Sequence, residues 1–165
     1  MDQAAQITLL QWSGASRHRQ TITWTHVSDR AQVAALADRI VSDPRVWRNF
    51  SMAVAEALEL SLDALASGPD CRRRVIDVSG DGVSNEGLSP HGPKGRLNVM
   101  QVTVNALAIE KDAADLVAWF YENLIHRDGA FVINASGFAD FPEQIRSKLQ
   151  RETTRQISAL GPVRT

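Results

Sequence analysis

In Arg74-Val75-Ile76-Asp77-Val78-Ser79-Gly80-Asp81-Gly82-Val83-Ser84-Asn85-Glu86-Gly87, a β-branched apolar run passes straight into a loop of glycine, hydroxyl, amide and carboxylate residues. The run over residues 73–79 predicts a buried strand, because β-branched side chains pack well on a pleated surface and cost helix entropy. Residues 80–95 then predict a loop, in which glycine permits tight turns and close backbone approach. In open α/β sheets, ligands gather outside the carboxyl ends of the strands. That rule puts Asp81 at such an edge, with Ser79, Ser84, Asn85 and Glu86 as neighbouring oxygen donors. An all-oxygen set suits a hard cation such as Mg²⁺ or Ca²⁺. The same composition also suits a plain strand-to-helix loop, since Asp caps and Gly turns; both readings stay open. Asp77, two residues before Ser79, reads as a structural carboxylate.

Working outward, the C-terminal half alternates strand and helix. Strands are expected over residues 102–109 and 130–133, and helices over 113–125 and 138–157. This β-α-β-α-β-α order implies a parallel sheet with helices on both faces. Upstream, residues 7–12 and 21–24 read as two strands of an antiparallel hairpin turned at Gly14. Ser28 offers an N-cap for a helix over 31–41, where Val33, Leu36, Ala37 and Ile40 share one face. Asp43-Pro44 stops it. A second helix over 51–66 ends before Gly68-Pro69. The expectation is one α/β domain.

Bulk properties narrow the function classes. The 165 residues carry 18 Lys+Arg against 19 Asp+Glu, a formal net charge of -1, so charge gives no reason to expect nucleic acid. A single Cys71 excludes an internal disulfide and a multi-cysteine zinc site. No apolar run approaches the roughly 20 residues that a membrane span needs. The first residues carry no basic export signal. His18, His26, His91 and His126 show no ligand spacing, and the Arg72-Arg73-Arg74 run beside Cys71 reads as solvated sheet edge. Trp12, Trp24, Trp47 and Trp119 read mostly as core or interface, with Trp47, in a loop beside Pro44 and Arg48, as the one candidate for exposure.

Two motif matches fail. Asp77-x-Ser79-x-Asp81-Gly82 imitates the start of a calcium-binding EF-hand loop, but Leu88 occupies the twelfth position, where a bidentate Glu is required. Gly80-Asp81-Gly82 imitates the late acidic motif of haloacid-dehalogenase-type phosphatases, yet no DxDx[TV] nucleophile motif occurs.

The string RVIDVSGDG, with Asn85 and Gly87 after it, resembles a bacterial family of unknown function with a von Willebrand factor type A-like fold. Leu10-Gln11-Trp12-Ser13-Gly14, Val104-Asn105-Ala106-Leu107-Ala108-Ile109, Gly129-Ala130-Phe131-Val132 and residues 141–149 agree in the same order. The resemblance implies a doubly wound, mostly parallel, Rossmann-like sheet with one antiparallel edge strand. It also implies a metal-ion-dependent adhesion site built from a DxSxS motif, a Thr from a second loop and an Asp from a third. By position the third-loop Asp is Asp81. The second-loop hydroxyl falls near Phe50-Ser51-Met52, as Ser51. The family's first strand and its DxSxS motif have no counterpart before Ile7.

The expectation is therefore an N-terminally truncated domain over residues 1–158 with a tail over 159–165, and weak or no Mg²⁺ or Ca²⁺ binding. An upstream start, a decayed copy, or a second copy completing the sheet would each account for the missing strand, and the last makes self-association an expectation. The functional expectation is a non-catalytic module for a protein partner, with a degenerate adhesion site and no nucleophile-base pair. The alternatives are a metal-dependent hydrolase using Asp81 and Glu86, and a structural remnant with no site.

Overall fold

A computed structural model describes residues 4–44, 46–47, 51–110 and 115–159, with side chains as far as 152. The expected tail from 160 onward, the first two residues of the helix expected at 113, and Phe50 lie outside the described residues. The chain divides into two compact units, Met1–Arg74 with Ser84–Val102, and Val75–Val83 with Thr103–Thr165.

In the first unit, β1 (Ala5–Trp12) and β2 (His18–Val27) form an antiparallel hairpin running from Ala5 opposite Val27 to Trp12 opposite His18. Gly14, at φ 71°, lets the turn close, and the Ser13 amide donates to the Arg17 carbonyl at 2.7 Å. The second strand is longer at both ends than the apolar alternation of residues 21–24. Pairing with β1 carries its polar ends, which periodicity alone does not register. Ile22, Val27 and Leu36 form a small core with Leu9 packed against it.

Helix α1 (Arg30–Ser42) is capped one residue later than the sequence suggests: the Asp29 carboxylate accepts the Gln32 amide at 2.8 Å. Ser28 instead donates its own amide back to the Gln32 side chain at 2.7 Å. The two contacts form a reciprocal box shifted by one position. Helix α2 (Val54–Ser67) stops at Gly68-Pro69, and Trp24 Nε1 donates to the Ala64 carbonyl at 3.2 Å. At the end of the expected loop and beyond it a short helix, α3, appears at Lys94–Val99. Pro93 starts it, Leu97 is buried, and Arg96 reaches Glu59 and Asp63 on α2.

The second unit holds β3 (Arg74–Gly80), β4 (Val102–Ile109) and β5 (Val132–Ala135) as a three-stranded parallel sheet in the order β3-β4-β5. Ala106 stands opposite Val132, and Ile109 opposite Ala135. From Val104 to Ala108 every residue of β4 is at most 1% exposed, as a central parallel strand requires. Helix α4 (Leu116–Asn123) follows Asp115, which takes the left-handed backbone at φ 78°. Helix α5 (Phe141–Ala159) rests Phe141 and Ile145 on a core of Leu107, Ile109 and Ala135.

The architecture is mixed α/β with Rossmann-like strand-helix alternation. One feature differs from expectation: the antiparallel pair is a separate two-stranded sheet rather than the edge of the parallel one.

Candidate functional site

The loop after Val83 is fixed to the start of α2 by its own polar atoms. The Met52 carbonyl accepts the amides of Asn85 at 3.0 Å and Glu86 at 3.2 Å. In return the Met52 amide donates to Asn85 Oδ1 at 2.8 Å. Ser84 Oγ accepts the Val54 amide and donates to the Met52 carbonyl, each at 3.3 Å. Ala53, the N-cap, has no side-chain acceptor, so Ser84 supplies from a distant loop the oxygen that a capping Ser or Asp would supply locally. The Ser51 hydroxyl donates to the Glu86 carboxylate.

Glycine makes these approaches possible. A Cβ on Gly14 would stand 3.0 Å from Glu86 Oε2 and 3.1 Å from Ser51 Oγ. A Cβ on Gly87, at φ 82°, would collide with the Glu56 carboxylate. Glu56 Oε1 accepts the Leu88 amide at 2.8 Å, and its other oxygen is buried with no hydrogen-bond partner among the described residues. Beside it, a groove of about 220 Å³ is lined by His18, Glu56, Glu59, Asp63 and Leu88, among others. Arg96 bridges Glu59 and Asp63 (2.7 Å to the latter), and the hydrogen bonds it donates to Asp63 and Glu59 raise its pKa above the ordinary arginine value.

Thus the first unit brings together four of the residues singled out from the sequence: Ser51, Ser84, Asn85 and Glu86. Each uses its side-chain oxygen within the protein. Asn85, Glu86 and Leu88 remain exposed. Ser79 and Asp81 belong to the second unit, where Ser79 is half-buried. Asp81 is exposed and makes no hydrogen bond with a described residue. No group of three or more His, Cys, Asp or Glu is arranged to hold a metal ion among the described residues. Cys71 is a free, half-buried thiol.

Sequence reasoning missed a polar cluster in the second unit. Lys148 on α5 is fully buried and donates to Asp77 on β3. Glu152, one helical turn later, lies 3.5 Å from Lys148 and accepts from Asn105 on β4 at 2.5 Å. Burial pushes the Glu152 carboxyl up to about 7; the hydrogen bond and charge of Asp77 raise it too, while Lys148 and Asn105 pull the other way. The available signal was Asn105, a lone amide inside the apolar strand VTVNALAI, which has to find a buried partner.

The family model described as "Protein of unknown function (DUF1194)" matches residues 1–157. No curated protein and no solved structure matches the chain. With nearly its whole length under that one model, the chain belongs to the DUF1194 family.

Proposed function

We propose that the chain is a non-catalytic, protein-binding module of the von Willebrand factor A type, carrying a degenerate metal-ion-dependent adhesion site. The observation that supports this reading is the use of the loop's oxygen donors. Ser51, Ser84, Asn85 and Glu86 spend their side chains on the start of α2 and on one another. A cation would compete for those same oxygens, and drawing Ser84 and Asn85 away would leave the Val54 and Met52 amides at the start of α2 without their side-chain acceptors. What the arrangement delivers instead is an ordered loop with Asn85, Glu86 and Leu88 facing outward. Leu88 is 62% exposed. On that fixed backbone Leu88 offers a partner one apolar contact, with the polar groups of Asn85 and Glu86 beside it.

The test places a photo-crosslinking side chain at Leu88 in the full chain, in its native cells. A discrete cross-linked protein is expected, absent when the same side chain is placed instead at Val41 on α1, which is also exposed. Turnover of phosphate or carboxylate esters that requires Mg²⁺ and vanishes in Asp81→Ala would overturn the reading in favour of a hydrolase.

A further inference from the structure

The binding reading leaves the cluster beneath α5 without a role, and its construction is unusual. Lys148 is 0% exposed, Asn105 1% and Glu152 8%. Asp77 on β3 accepts from Lys148, Lys148 faces Glu152, Glu152 accepts from Asn105 on β4, and Asn105 Oδ1 accepts the Phe131 amide at 3.2 Å. One polar chain therefore joins α5 to two strands and to the residue before β5.

Two carboxylates face a single ammonium. With both ionised the cluster carries a net negative charge, and with one proton added it is neutral; Asp77 keeps 32% of its side chain exposed, so the unbalanced charge weighs most on buried Glu152. The Arg151 guanidinium lies 4.1 Å over the Phe131 ring and is not, among the described residues, an ion-pair partner of Asp77 or Glu152. Among the described residues, the groups facing Glu152 are Lys148 from its own helix, Asp77 from β3 and Asn105 from β4. The start of α5 is held differently, by Phe141 and Ile145 on the apolar core.

We infer that this cluster is a proton-operated latch. While it holds one proton, the part of α5 from Lys148 onward is fastened to β3 and β4; when that proton leaves, this part loosens and the start of the helix stays. The direction follows from burial, which holds the Glu152 carboxyl well above its ordinary value, at about 7. Between roughly pH 4.5 and 7 the docked state binds a proton that the undocked state has released. Docking is therefore strongest at the acid end of that range, and its advantage is lost as pH rises through the docked-state value.

Backbone hydrogen exchange on the full chain reads this directly, corrected for intrinsic rates, from about pH 6 to 8.5. Protection at residues 148–152 is expected to fall by about tenfold more than at residues 141–147. Glu152→Gln, which mimics the protonated acid, should abolish that difference. Asp77→Asn should also abolish it, by leaving one carboxylate to one ammonium. The same pH dependence in wild type and both variants would overturn the latch. Should the variants not fold, the carboxyl carbon of Glu152 in the wild-type chain decides: a titration midpoint near 7 supports the latch, and one below about 5 overturns it.

Discussion

Gly87 shows how single residues set the loop. Its backbone stands at φ 82°, where an L side chain is strained, and a Cβ there would meet the Glu56 carboxylate. Gly87→Ala therefore combines backbone strain with a steric conflict, and should cost about 1–3 kcal/mol in denaturant unfolding. A cost within a few tenths of a kcal/mol would mean that the loop does not need the left-handed turn. Glycine's capacity for such turns was legible in RVIDVSGDGVSNEG; its partner was not. Glu56 is 31 positions earlier, and no local pattern tells which carboxylate a distant glycine will admit. Similarly, Ser84 and Asn85 were legible as oxygen donors, whereas their use as caps for α2 depended on Met52 and Val54 arriving beside them. Lys148 and Glu152 were the least legible, because charged residues four apart on a helix ordinarily mark its solvated face.

At the scale of elements, β3, β4, α2 and α5 follow from apolar runs and helix stops, since burial fixes the side-chain period. The errors fall at ends and in the polar loop. β2 is extended by pairing, and β5 begins two residues later than expected, at Val132, after Phe131 gives its amide to Asn105. α3 was hidden because its six residues sit among Gly and Pro and bury only Leu97. The shifted cap of α1 carries its own test. Asp29→Ala should lower stability by about 1 kcal/mol, and Ser28→Ala by less, because the Asp29 carboxylate accepts the helical amide. The reverse order would put the cap at Ser28.

For the molecule as a whole, family membership, a mixed α/β architecture and a net charge of -1 set the frame without naming a partner. No helix among the described residues is long and apolar enough to cross a membrane. What distinguishes the binding reading from a cation-dependent one is where the loop's lone pairs go, and stability linkage reports that for the entire chain. A divalent ion present at about 100 times its dissociation constant would stabilise the native state by about 2.7 kcal/mol, enough to raise the unfolding midpoint by several degrees. The most direct measurement is thermal unfolding of the chain in EDTA and then in millimolar Mg²⁺, Ca²⁺ or Mn²⁺. The account predicts the same midpoint in every case, because Ser51, Ser84, Asn85 and Glu86 are already engaged. A rise of several degrees that disappears in Asp81→Ala would contradict it.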